Sequence, residues 1–315
     1  MRLLLAIISA CCFGFSGPMA HFLGAAGLSP LEAVWVRMAG AGLILLAVLS
    51  VVKPGALRIP RVQWRFFALY AVVAVAGVQA LFFVALTRLP VGVTLLIEYT
   101  APVMVVLWVR FVRAIRLPRT AYLGALIAIV GLTIVVQVWQ GVRLDAVGLI
   151  VALVAAACCA GYFLMSDNLH VDPLGLVAWG MIGAAVVLLP IVRPWGIPWE
   201  VFGGSSTVDG HTMPVAAATG FLIVVATVIA YVTGVLAVRR LSAAIGSTVA
   251  MLEVVTGALA AWVLLGEELG AAQIVGGVIV LAGALLAQSA TVRPTAVVTP
   301  APHVSRRDAV PSLEA

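Results

Sequence analysis

Apolar residues in this chain run in long uninterrupted stretches, not in the alternation of half-buried strands or the one-sided stripe of helices packed on a soluble core. Each stretch reaches the roughly 18–20 residues a helix needs to cross a hydrocarbon layer. The pattern predicts helices near residues 3–23, 30–52, 64–86, 91–110, 119–138, 146–166, 173–192, 214–236, 242–265 and 270–289. The expected fold is all-α and integral to the membrane, with ten transmembrane helices. Past Gln288 the chain turns to Pro, Val, Thr, Ser and Arg without an apolar period, so residues 290–315 read as a disordered tail.

A second pattern overlies the first. An offset of 152 residues lays 88–136 on 240–288 without a gap, matching Arg88 with Arg240, Leu89 with Leu241, Leu117 with Leu269, Gly124 with Gly276 and Gly131 with Gly283. Upstream, Cys11-Cys12-Phe13-Gly14-Phe15 matches Cys158-Cys159-Ala160-Gly161-Tyr162, and Ser29-Pro30-Leu31 matches Asp172-Pro173-Leu174. The units, residues 1–140 and 141–289, each hold five spans, and an odd number sends the second into the bilayer from the opposite side. Two inverted five-helix repeats are the build of secondary transporters, whose site lies between the repeats. Arg2, the apolar run behind it and the small residues at Gly24–Gly27 resemble a cleavable signal. The match to Cys158–Tyr162 assigns this stretch to the first helix instead.

Composition agrees with a membrane setting. With 64% hydrophobic and 10% charged residues and a mean hydropathy of +1.21, no soluble domain could hide this much apolar surface. Basic residues then orient the chain. If the N-terminus is cytoplasmic, only Arg88, Arg143 and Arg193 of the 18 Lys and Arg fall on the outer side, and only Arg37 within a span. The positive-inside rule therefore puts both termini in the cytoplasm of a plasma membrane. The net charge of +6 belongs to loops that face the bilayer, so it gives no reason to invoke nucleic acid.

The four cysteines form two vicinal pairs, Cys11-Cys12 and Cys158-Cys159. Neighbours on a helix point about 100° apart, and no His accompanies them, so they read as small packing residues rather than metal ligands. The longest internal connection, Arg193 to Met213, carries Trp195 and Trp199 as interface anchors, with a lid over the outer mouth as an alternative. Glu267-Glu268 is placed at the outer end of the ninth helix, where it would favour the N-terminus of the tenth.

Chemistry is carried by the few polar groups the bilayer should exclude. An ionisable side chain at mid-depth costs on the order of 3 kcal/mol or more unless it meets a cavity or a partner. Three stand out: Arg37, Glu98 and Glu253. Counting about 1.5 Å per residue from the outer ends of their helices places Arg37, Gln79 and Glu98 roughly 10 Å below one surface. Glu253 falls mid-helix, and its counterpart in the repeat register is Ala101, three residues from Glu98. Pro102 has no N–H for the Glu98 carbonyl, so a kink beside that acid is expected. Pro18 does the same for Gly14. Arg37 and Glu98 make either a structural ion pair or a substrate clamp. Tyr99, Tyr162, Trp179 and Tyr231 are pocket candidates, with plain packing as the competing reading.

Leu89-Pro90-Val91-Gly92, Ile97-Glu98-Tyr99-Thr100-Ala101-Pro102, Arg239-Arg240-Leu241-Ser242, Glu253 and Leu264-Leu265-Gly266-Glu267 together resemble the EamA branch of the drug/metabolite transporter superfamily, over essentially residues 1–289. Within it the pattern looks most like bacterial exporters of threonine, homoserine and related amino acids. The resemblance implies alternating access around a central cavity in a bacterial inner membrane, with the family's acidic positions at Glu98 and Glu253. It departs at Ile115-Arg116, where the second repeat has Glu267-Glu268 after Gly266.

The expected activity is export of a small polar or zwitterionic metabolite. Arg37 would hold its carboxylate, Glu98 would meet an ammonium group or a proton, and Glu253 would carry the coupling proton, with Gln79 and Tyr99 adding neutral hydrogen bonds. A carrier of hydrophobic drugs or lipid-like metabolites, a passive channel, and a membrane-embedded enzyme are the alternatives. The enzyme is disfavoured because His21, His170, His211 and His303 avoid mid-depth and no HExxH or GxSxG motif occurs. No cofactor or metal is called for beyond a coupling proton. The expected partners are the cargo and the bilayer. Small residues at Gly276-Gly277 and Gly283 permit close helix packing, within the chain or in a homodimer.

Overall fold

A computed structural model describes residues 2–59, 63–114, 116–136, 145–166, 172–238 and 252–291. Expectations concerning Arg61, Ile115, Arg143, His170, the Arg239–Ser242 loop, the first part of the ninth predicted helix and the chain beyond Thr291 lie outside them. The described chain is mostly helical. Among the described residues, seven helices are long and apolar enough to cross a membrane: α1 (Leu3–Ala25), α2 (Pro30–Val52), α3 (Trp64–Leu86), α4 (Val91–Phe111), α6 (Ala146–Met165), α7 (Pro173–Val192) and α8 (Val215–Ala237). Three shorter apolar helices accompany them: α5 (Arg119–Val135), α9 (Leu252–Leu265) and α10 (Ala271–Ala287).

Local chemistry sets several helix starts. Ser29 caps α2 in a reciprocal box, accepting from the Glu32 N–H while its own N–H donates to the Glu32 carboxylate, and Pro30 supplies the first helical φ. Asp172 caps α7 through the Leu174 N–H and is bridged by Lys53 from the end of α2. Asp145 accepts the Gly148 N–H at 2.6 Å and faces Arg88 at 3.3 Å. That backbone hydrogen bond, with Arg88 adding to it, holds the Asp145 carboxyl below the usual carboxylate range.

Packing follows small residues. Along α5 and α10, Gly124 abuts Gly283 and Ala287 while Gly131 abuts Gly276 and Val280, so closely that a Cβ on Gly131 would lie 2.5 Å from the Val280 nitrogen. The small-residue stripe is thus spent inside the chain. Gly14 of α1 meets Gly257 and the Glu253 carbonyl of α9 in the same way. Elsewhere α2 packs on α7, α1 on α8 and α9, and α3 and α4 on α6.

Two features are not anticipated by the sequence pattern. The first is a pair of wide π-helical segments, Tyr70–Gly77 in α3 and Val224–Ile229 in α8. The second is a hairpin, β1 (Ser205–Val208) against β2 (His211–Pro214), inside the long connection. Asp209 and Gly210 both take positive φ in its two-residue turn, the Asp-Gly signature of tight hairpins. The all-α description therefore gains one small antiparallel ribbon.

Candidate functional site

The site is assembled where helices lose their regularity. α1 is broken at Phe15, between Arg2–Gly14 and Ser16–Ala25, because Pro18 offers no N–H to Gly14. α4 is broken at Tyr99-Thr100, between Val91–Glu98 and Ala101–Phe111, which is the interruption Pro102 predicts. The π segment of α8 is held open by Thr227, whose hydroxyl donates to the Leu222 carbonyl five residues back at 2.7 Å. Such wide turns re-aim carbonyls and are common at functional positions.

Arg37 lies at the centre of these breaks and is 1% exposed. Its Nε donates to Thr227 Oγ1 at 2.6 Å, Nη1 to Gln79 Oε1 at 2.7 Å, and Nη2 to Ser16 Oγ at 3.2 Å and the Ala226 carbonyl at 3.1 Å. The Phe83 ring lies against the guanidinium, 5.5 Å from Cζ to the centroid. Every partner is neutral. The ion pair with Glu98 considered from the sequence is not formed: among the described residues no carboxylate stands within 4 Å of Arg37. Glu98 and Glu253 are close enough to act on it electrostatically without contact.

Gln79 continues the network, its Nε2 donating to the Tyr231 hydroxyl at 3.5 Å. On the far side Tyr99 donates to Glu253 Oε2 at 3.1 Å, joining broken α4 to α9. Glu98 is half-buried, and no described side chain hydrogen-bonds its carboxylate. Tyr162 stands tilted against Tyr70 at 6.0 Å between centroids, and Tyr70 lines one narrow gap with Tyr231. Arg37, Gln79, Glu98, Tyr99, Pro102, Tyr162, Tyr231 and Glu253 thus occupy one neighbourhood.

Trp179 does not join it. Its indole N–H donates to the Leu57 carbonyl at 3.0 Å, pinning the Pro54–Leu57 turn to α7. An indole with a single donor goes where a free carbonyl stands. The sequence reading also missed Ser16, Thr227 and Phe83. Buried hydroxyls inside otherwise apolar spans were the available signal for the first two.

Access to this neighbourhood is uneven. An open cleft of about 400 Å³ is lined by Ala20, His21, Leu28, Ala33, Phe83 and Thr87, with the hairpin residue Val208 at its wall. Tyr70, Val75, Val177, Met181 and Tyr231 instead enclose a gap with no room for water. Near the cleft residue His21, Glu267 corrects the sequence expectation: its Oε2 accepts the Val91 N–H at 2.8 Å, capping α4 rather than α10. Val91 opens α4, so its N–H has no acceptor within its own helix, and Pro90 at the cap offers no side-chain acceptor. Glu267 Oε1 is 3.9 Å from His21 Nε2. Burial pushes the Glu267 carboxyl up, and the Val91 N–H opposes this in part.

The EamA-like transporter family model matches residues 1–137 and 146–288. The chain belongs to the EamA-like transporter family. Curated EamA relatives include the threonine/homoserine exporter RhtA of Salmonella typhimurium (strain LT2), 27% identical over 254 residues that cover 80% of this chain and 78% of that protein. The exporter of the same name from Escherichia coli (strain K12) is 27% identical over 249 residues, 78% of this chain and 76% of its own. A protein known from its crystal structure aligns with a TM-score of 0.60 at 19% identity, covering 91% of this chain and 96% of that one, a likeness of fold. This EamA protein is therefore a multi-pass membrane transporter.

Proposed function

We propose that the protein is a secondary carrier that exports a small zwitterionic metabolite, an amino acid of the threonine and homoserine kind, by proton-coupled alternating access. The observation that carries this reading is the buried Arg37, held only by neutral groups while two acids stand near but unpaired with it. Desolvating a cation without a counter-ion is costly. A cargo carboxylate would supply the missing charge, taking the place of Ser16 or Gln79. Glu98 would receive the ammonium group, and Glu253, tied to the cargo side through Tyr99, would carry the proton. The exporter names of the curated relatives support the cargo class.

The architecture in this proposal is ten spans in two inverted repeats, residues 1–140 and 141–289, with both ends in the cytoplasm of a bacterial inner membrane. Supporting it, Gln79 and Tyr231, which hydrogen-bond, are 152 residues apart, the offset of the sequence repeat. The contacts Gly124–Gly283 and Gly131–Gly276 exchange under the same offset, and the two π segments occupy corresponding stretches. Lys53 with Asp172, and Arg88 with Asp145, join loops assigned to the same side.

Efflux of labelled threonine and homoserine from vesicles, with and without a pH gradient, tests the proposal. Flux that responds to the gradient and is lost in Glu253→Gln is expected. No flux under either condition, or unchanged flux in the variant, would refute it.

A further inference from the structure

The cleft and the Arg37 cluster share the Phe83 ring. Phe83 lines the cleft and also lies against the Arg37 guanidinium, 5.5 Å away, yet is only 2% exposed. Ala33, also on the cleft wall, is one helical turn from Arg37 on α2. At about 400 Å³ the cleft has the size of a ligand pocket, roughly 300–1,000 Å³. Its lining is almost wholly apolar, with His21 and Thr87 as its polar side chains. Among the described residues His21 Nε2 is buried without a hydrogen-bond partner, Glu267 Oε1 being 3.9 Å away. A buried polar atom left unpaired beside a cavity is suited to a ligand that hydrogen-bonds to it.

We propose that this cleft is a second cargo position, above the Arg37 cluster, that receives amino acids with uncharged side chains, and that Phe83 is the partition a cargo must pass between the two. This rests on the carrier reading above. In the resting arrangement the ring shields the cation from the cleft, and its face favours the guanidinium. Rotation of the ring opens Arg37 to the cleft. A charged side chain would be stripped of water against Leu28, Ala33 and Phe83, which an uncharged one tolerates.

Cysteine accessibility tests it, in full-length protein in intact cells, with Cys11, Cys12, Cys158 and Cys159 replaced by alanine. Thr87→Cys, at the exposed rim of the cleft, and Ser16→Cys, beside Arg37, are treated from outside with a membrane-impermeant thiosulfonate. The expected result is rapid labelling of Thr87→Cys, much slower labelling of Ser16→Cys, and labelling of Ser16→Cys at nearly the Thr87→Cys rate once Phe83→Ala is added. Thr87→Cys carried alongside Phe83→Ala, labelled at its parental rate, shows that the variant is folded, and Phe83→Leu repeats the comparison with a smaller loss of volume. L-Leucine and L-homoserine should slow Thr87→Cys labelling, and L-glutamate should not. Ser16→Cys labelling that is the same with and without Phe83, or protection by L-glutamate equal to that by L-leucine, overturns the proposal. Thr87→Cys unlabelled from outside overturns it through the assumed sidedness, whereas loss of amino-acid efflux in the parent protein is the separate failure of the carrier reading.

Discussion

Replacing Arg37 by methionine separates a structural cation from a functional one. The substitution removes four hydrogen bonds. The Thr227 hydroxyl keeps its bond to Leu222, and the Ser16 hydroxyl can turn to another acceptor. The Gln79 oxygen and the Ala226 carbonyl are left short of a donor, at about 1–3 kcal/mol each, or about 2–6 kcal/mol together. Against this, the wild-type protein bears the desolvation of a cation with no carboxylate of the described residues within 4 Å, an effective penalty of several kcal/mol. The two effects nearly cancel. Arg37→Met should therefore lie within about 2 kcal/mol of wild type, a Tm change of at most about 4–8 °C, while efflux is abolished. Arg37→Lys should be the less stable variant, because it keeps a charge in the dry site and lacks the planar fork that reaches all four acceptors. Unfolding in detergent can be followed with a thiol-reactive dye, since all four cysteines are free and half-buried. A Met variant far less stable than the Lys variant, or one that retains efflux, would refute the argument.

Three further outcomes follow from the geometry. Gly131→Val sets a branched side chain 2.5 Å from the Val280 nitrogen, against backbone that cannot move aside; it should cost roughly 1–3 kcal/mol or more in the same thermal assay, whereas Gly220→Ala, with nothing within 4 Å, should cost nothing. Tyr99→Phe deletes the donor to Glu253 and should lower stability by about 1.5–3 kcal/mol if that carboxylate is charged; in a double-mutant cycle it should add little to Glu253→Gln, and full additivity would show that the two do not interact. Glu267 binds its proton more tightly folded than unfolded, because burial outweighs the Val91 hydrogen bond. Its favourable contribution is therefore complete below the ordinary value of 4.5 and is lost as pH rises through the higher folded value. Relative to Glu267→Gln, wild type should lose stability over that interval, and a gain would reverse the sign assigned to burial.

Much of the site was legible from one rule: charged and proline residues do not sit in a hydrocarbon-spanning helix without a reason. Arg37, Glu98 and Glu253 followed from charge, and the α4 interruption followed from the missing N–H of Pro102, which the structure places between Glu98 and Ala101. Tyr99 is a pocket candidate and neutral hydrogen-bonder from the sequence, and the structure gives it Glu253 as partner. Ser16 and Thr227 were not found, because a lone hydroxyl in an apolar helix can satisfy itself on its own backbone. The partner of Trp179 was not legible, because an indole's direction depends on which carbonyl is nearby, here that of Leu57.

The sequence by itself determined that the chain lives in a membrane as helices, and which side chains pay no heed to the surrounding lipid, since the length of each apolar run and the cost of buried charge are local quantities. Partners were decided only in three dimensions. Arg37 took four neutral acceptors and a ring rather than Glu98, and Glu267 capped Val91 rather than the helix next to it in sequence. The physical reason is that hydrogen bonds form with whatever the packing brings within about 3 Å. That packing is governed by long-range contacts such as Gly131 against Gly276 and Gly14 against Gly257, which no local window of sequence contains.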